Sequence, residues 1–157
     1  MNDRHRARLA AIQFLFQREF QQDDLREALD LFWESDRLED SEIPLKLRGF
    51  AERLVQGVEE HREALDERLQ AYAEHWSLHR MARVDLNVMR VALYEIFHCP
   101  DTPPVVAVNE ALNAARELSG REAARFVNGI LDRALRDAGR PLRERSGSQA
   151  SNTVEKR

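Results

Sequence analysis

Residues 84–97 read Val-Asp-Leu-Asn-Val-Met-Arg-Val-Ala-Leu-Tyr-Glu-Ile-Phe. Ten of these fourteen residues are apolar. The four polar ones, Asp85, Asn87, Arg90 and Glu95, point in different directions on a helical wheel. A helix without a continuous polar face is packed on most sides, so this segment predicts a central helix with others arranged around it. Its polar side chains must then reach a rim, pair together or contact a partner, because burying them unpaired is costly.

Working outward toward the C-terminus, Asp101-Thr102-Pro103-Pro104 is a stop and a restart, with Thr102 placed to cap and Pro103 suited to the first helical position. The next helix spans 105–118 and turns Val108, Ala111/Leu112, Ala115 and Leu118 inward. Ser119-Gly120 closes it, glycine being the usual residue just past a helix end. A last helix covers about 121–137 and stops at Gly139 and Pro141.

Toward the N-terminus, Trp76-Ser77-Leu78 interrupts the pattern, with Ser77 able to cap a short turn through Met81. A helix over 62–74 carries Leu65, Leu69 and Tyr72. Another begins at Pro44 and carries Leu47, Phe50/Ala51, Leu54 and Val58. Residues 24–37 form a helix lined by Leu25, Leu29 and Phe32, with Asp23 or Asp24 as its cap. The first helix, 4–20, has an apolar stripe of Leu9, Ile12, Phe16 and Phe20. Phe14 falls off that stripe and meets either a second helix or solvent. No strand pattern is evident. About seven helices with short connections predict an all-α globule. Residues 1–139 form its single domain, and 140–157 are a polar tail in which disorder is expected.

The composition fits this class, at 43% hydrophobic and 33% charged with only 6 Gly and 5 Pro in 157 residues. No apolar run approaches the roughly 20 residues of a membrane span. The N-terminus has no signal-peptide core and Cys99 is the only cysteine, so a reducing, cytoplasmic setting is expected. The net charge is −4, but it is unevenly spread: +2 over residues 1–20, −8 over 21–70 and +2 over 71–157. Such asymmetry lets an acidic molecule bind a polyanion at one place.

Little in the chain suggests catalysis. None of the glycines is spaced like a phosphate-binding loop. His75 and His79 are four apart, but Trp76-Ser77 breaks the helix between them and no third ligand is near in sequence. His98-Cys99 reads as a helix end with a small packed residue. We therefore expect no enzyme activity, metal or cofactor.

Two stretches invite a binding role. Arg4-His5-Arg6-Ala7-Arg8 is either a solvated helix start or an arginine-rich RNA contact, since guanidinium groups grip phosphate and stack on bases. Arginines at a helix N-terminus oppose the macrodipole, so they do not serve helix stability. Phe126-Val127-Asn128-Gly129-Ile130-Leu131-Asp132-Arg133 holds a glycine inside a helix, at a cost of about 1 kcal/mol relative to alanine. On a wheel, Ala123, Val127, Ile130, Leu131 and Ala134 form the buried stripe. Phe126 lies at its edge, and Gly129 lies on the far side near Arg125 and Glu122. Phe126 either closes the core or stacks on a base. Gly129 either admits a neighbouring helix or clears the outer face.

Several motifs, in order, resemble the NusB family of transcription antitermination and ribosomal-RNA processing factors. They are Trp76-Ser77-Leu78 through Arg83-Val84-Asp85, Met89-Arg90-Val91-Ala92-Leu93-Tyr94-Glu95-Ile96, Val106-Ala107-Val108-Asn109-Glu110-Ala111, and the Phe126 stretch. Arg8-Leu9-Ala10 with Gln13-Phe14-Leu15-Phe16, and Phe50 with Leu54-Val55-Gln56-Gly57-Val58, extend the likeness to about residues 4–137.

The resemblance implies two packed three-helix halves, no catalysis, and binding of the boxA element of nascent ribosomal-RNA transcripts as single-stranded RNA. It also implies a partner, NusE, the ribosomal protein that joins the RNA polymerase antitermination complex. By position it implies RNA contacts at Arg4, Arg6, Arg8, Glu122, Arg125 and Phe126, and NusE contacts at Phe16 and Asp85. Val105 stands where relatives often carry lysine, and the N-terminal arginines are sparser than in the most basic relatives. A homodimer, found among relatives, stays open for this chain. The competing expectation is an RNA-recognition module that serves ribosomal-RNA maturation or methylation with a separate enzyme.

Overall fold

A computed structural model of the protein describes residues 3–34 and 43–143. Six α-helices and one 3-10 helix make up the described residues, without strands. They are α1 (Asp3–Arg18), α2 (Leu25–Trp33), α3 (Leu45–Tyr72), the 3-10 turn (Leu78–Arg80), α4 (Arg83–His98), α5 (Pro104–Ser119) and α6 (Arg121–Arg136). No helix among the described residues is long and apolar enough to cross a membrane.

The segment over 84–97 is the central helix its composition demands. α4 packs against α1, α3, α5 and α6, and every residue from Asp85 to Ile96 is buried. Three of its four polar side chains find partners. Glu95 is bound by Arg8. Arg90 donates to Asp66 at 2.8 and 2.9 Å and to Glu19 at 2.9 Å. Asn87 donates to Glu19 at 3.1 Å and to the Arg83 carbonyl at 2.9 Å.

Glu19, just past the end of α1, thus ties α1 to α4, and Arg62 adds a contact from α3 at 3.4 Å. Burial alone would raise the Glu19 carboxyl. The hydrogen bond from Asn87 and the charges of Arg90 and Arg62 outweigh it and hold the pKa below its ordinary value. A carboxylate with a depressed folded-state pKa stabilises the fold above its unfolded value and loses that contribution as pH falls through the folded one. The urea midpoint should therefore drop on acidification below about pH 4.5. Glu19→Gln should make that acid limb shallower; an unchanged limb would assign the acid sensitivity to other groups.

Several boundaries differ from those read off the sequence. The stretches starting at Pro44 and at 62 run on as α3, which kinks at His61, where φ is −107° and ψ 15° and the backbone leaves helical geometry, so the expected break is present as a kink. The charged run around it is only partly solvated: Glu59 pairs with Arg18 at 3.5 Å and the His61 ring stacks on Tyr94. α2 ends at Trp33, capped by Asp24, which accepts from the Glu27 amide; the remainder of that predicted helix and the acidic link after it lie outside the described residues. Pro103 is the N-cap of α5 and Pro104 its first residue, one position later than predicted.

The stripe of α1 is also displaced. Ala7, Ala10, Ala11, Phe14 and Leu15 are buried with Ile12, whereas Leu9 and Phe16 are half-buried and Phe20 is exposed. Phe14 meets Phe32 of α2 edge-to-face at 5.4 Å. α1 is covered by both α3 and α4, so its buried face is wider than one stripe. In α6 the buried alanine is Ala124 rather than Ala123.

Gly120, with φ +105°, ends α5 and starts α6; its amide donates to Ala115 and Arg116 carbonyls at 3.1 and 3.0 Å. The folded body runs past residue 139. Arg140 caps the C-terminal end of α4 and the turn after it, donating to the carbonyls of Glu95, Ile96, Cys99 and Thr102 at 2.8–3.1 Å. The Val105 amide donates to the Leu142 carbonyl at 2.9 Å. Arg140 and Leu142, within the stretch expected to be a polar tail, thus bond to the helical body, and residues 144–157 lie outside the described residues.

Candidate nucleic-acid interface

The arginine-rich start is neither frayed nor uniformly exposed. Arg8 is 5% exposed and donates from Nε and Nη2 to both oxygens of Glu95, itself 1% exposed, at 2.8 and 2.7 Å. This is a bidentate buried ion pair, the geometry guanidinium favours. Burial opposes the charge on Arg8, but the hydrogen bond and charge of Glu95, with Glu110 nearby, outweigh it and raise its pKa. Arg8 thus holds α1 to α4 through Glu95 rather than facing solvent.

His5 is buried as well. Its Nδ1 lies 2.7 Å from Glu110 and its Nε2 3.0 Å from Glu117, which docks the start of α1 onto α5. The Asn109-Glu110 pair thereby acquires a structural reason in Glu110. Arg4 and Arg6 remain toward solvent. Arg4 lies 4.4 Å over the Phe50 ring, a cation–π contact that orients it, and Arg6 reaches Asp3 at 3.4 Å.

On α6, Val127, Ile130, Leu131 and Ala134 face the core, while Glu122 and Arg125 are exposed. Phe126 is half-buried at the rim, and its ring meets Trp76. Gly129 lies on the outer face, and a Cβ there would meet nothing within 4 Å. It does not admit a neighbouring helix. Gly129→Ala should therefore raise stability by up to about 1 kcal/mol, the propensity gain at an exposed helical site. Thermal melting reads this; a lowered midpoint would mean the outer face is not open.

Arg4 and Arg6 stand at the start of α1, Glu122, Arg125 and Phe126 at the start of α6, and α5 packs against both helices.

A third feature lies at the far end of α1. Phe16 and Phe20 meet edge-to-face at 5.4 Å and line a groove with Leu31, Phe32, Val84 and Leu118. Phe20 is 69% exposed. Beside Val84, at the first turn of α4, Asp85 is 9% exposed, and its Oδ1 is buried without a hydrogen-bond partner among the described residues. It is the one polar side chain of the central helix left unmatched. Sequence reasoning named Phe16 and Asp85 but missed Phe20, Leu31 and Trp76; their apolar character at solvent-facing positions becomes visible only once the packing is known.

A small helical body with exposed arginines and aromatic rings, and a groove whose lining mixes phenylalanines with Gln17, Arg18 and Asp23, has the character of a binding protein. Comparison with known proteins gives that class a family: the NusB family model matches residues 5–136, and the chain belongs to it. It is 46% identical over 132 residues to a transcription antitermination protein NusB of Trichlorobacter lovleyi, covering 84% of this chain and 89% of that one. A NusB of Myxococcus xanthus is 35% identical over 133 residues, covering 85% and 94%.

Among solved structures, NusB of T. maritima superposes with a TM-score of 0.73 at 35% identity, covering 89% of this chain and 93% of that one. A crystal structure of antitermination factors NusB and NusE with double-stranded RNA shares the fold, with a TM-score of 0.69 at 21% identity, covering 85% and 96%. This is a family of transcription antitermination factors, not of enzymes.

Proposed function

We propose that this chain is an RNA-binding antitermination factor. It recognises a boxA-like element in nascent ribosomal-RNA transcripts together with NusE and supports read-through by RNA polymerase. The observation that carries this is the family match over residues 5–136, reinforced by a relative solved with NusE and RNA.

In this reading Arg4, Arg6 and Arg125 meet phosphates, and Phe126 stacks on a base. Glu122 supplies an acceptor for base amino groups, which arginine cannot. NusE docks at the Phe16–Phe20 groove, beside Asp85 at the first turn of α4.

The test is RNA-binding anisotropy across a salt series. Arg4→Ala with Arg6→Ala should weaken binding and reduce the slope of log K against log salt by about 0.7 per lost phosphate contact. If the double variant keeps both affinity and slope, these arginines do not face the RNA.

A further inference from the structure

Trp76 stands in the turn between α3 and α4, 56% exposed, with its ring against Phe126 of α6. The ring centroids are 5.6 Å apart and the planes meet at 78°. The turn that carries the indole is pinned. The Gln70 side chain donates to the Trp76 carbonyl at 2.7 Å and accepts from the Leu78 amide at 3.3 Å. Ser77 accepts from the His79 amide at 3.2 Å. The indole is thus mounted on a fixed base, yet more than half of its surface faces water.

Two rings at this angle form an inside corner. A flat base laid on the indole face turns its edge toward the face of Phe126, so one base makes a stacked and an edge-to-face contact together. The elements that carry the rings also carry exposed cations, Arg80 on the 3-10 turn and Arg121 and Arg125 on α6, suited to the flanking phosphates.

We propose that Trp76 and Phe126 form a notch that receives one unpaired nucleobase of the RNA, with Trp76 as the stacking wall. This rests on the RNA-binding reading above and adds to it a residue, the stacking wall of Trp76. In a duplex both faces of each base are covered by its neighbours, whereas single strands and bulges offer free faces.

Trp33 and Trp76 are the only tryptophans. Trp33 lies in α2, where its indole N–H donates to Glu52 at 2.7 Å. The full chain carrying Trp33→Phe leaves Trp76 as the sole indole reporter. It is titrated with a boxA-like single-stranded RNA, and with the same RNA annealed to its complement, while indole emission and RNA anisotropy are followed together. The single strand should quench the emission in step with binding, and the duplex should leave it unchanged. Trp76→Ala in the otherwise native chain should weaken single-strand binding about 5- to 100-fold, the range for loss of one base stack. Trp76→Phe should restore most of it.

Binding by anisotropy without quenching overturns the notch and leaves the RNA-binding reading standing. Equal quenching by the duplex overturns the selectivity for an unpaired base. No binding of either RNA removes both.

Discussion

Arg8→Ala is expected to cost the fold about 3–5 kcal/mol, the range for breaking a buried ion pair by removing one partner. The loss comes less from the missing attraction than from Glu95, whose carboxyl would be left buried without its guanidinium partner. The pair links α1 to α4 across 87 residues of sequence, so its loss loosens the packing of α1 on α4. Urea unfolding monitored by circular dichroism reads the effect directly. Glu95→Ala should cost a similar amount. Arg8→Met combined with Glu95→Leu should recover much of it, since an apolar pair of similar volume leaves no buried charge. If Arg8→Ala instead kept its midpoint and lost salt-dependent RNA affinity, Arg8 would be a surface contact and its placement against Glu95 would be wrong.

The second large effect is expected at Gly57. A Cβ at this position would overlap the ring of Tyr94. That ring cannot simply swing aside. It stacks on His61 and His98 with centroid separations of 6.0 and 5.4 Å, and those two imidazoles stack on each other at 4.0 Å. Gly57→Ala gains about 1 kcal/mol of helix propensity but forces α3 away from α4, an overpacking cost of about 1–3 kcal/mol. A net loss is expected on melting, opposite in sign to the gain at Gly129. Tyr94→Leu in the Gly57→Ala background should relieve the clash. Equal stabilisation by alanine at both glycines would show that the α3–α4 contact is looser than the structure has it.

The fold was legible where local chemistry decides it. The all-apolar circumference of 84–97 identified the central helix, Gly120 marked the α5–α6 break, and Ser77 marked the 3-10 turn. It was less legible where several neighbours compete for one helix. α1 is covered from two sides, so a single-stripe reading selected Phe16 and Phe20 and passed over Phe14. The kink in α3 was legible only as a break, because apolar spacing does not tell a bend from a loop.

The candidate site shows the same division. Gly129 was placed on the outer face correctly because helix periodicity suffices for that. The fate of Arg8 was beyond periodicity, because its partner Glu95 is distant in sequence and a buried arginine is unusual without one. The pairing of Trp76 with Phe126 is likewise a product of tertiary packing. A sequence can mark each ring but not bring the two together.

The most direct test of the account is a binding titration of boxA-like and scrambled RNA of equal length, each with and without NusE, at fixed salt. The account predicts that the boxA-like RNA binds more tightly than the scrambled one and that NusE increases the difference. Phe126→Ala and Asp85→Ala should then separate: the first lowers RNA affinity in both conditions, the second removes only the gain from NusE. Equal binding of the two RNAs, with no effect of NusE, would contradict it.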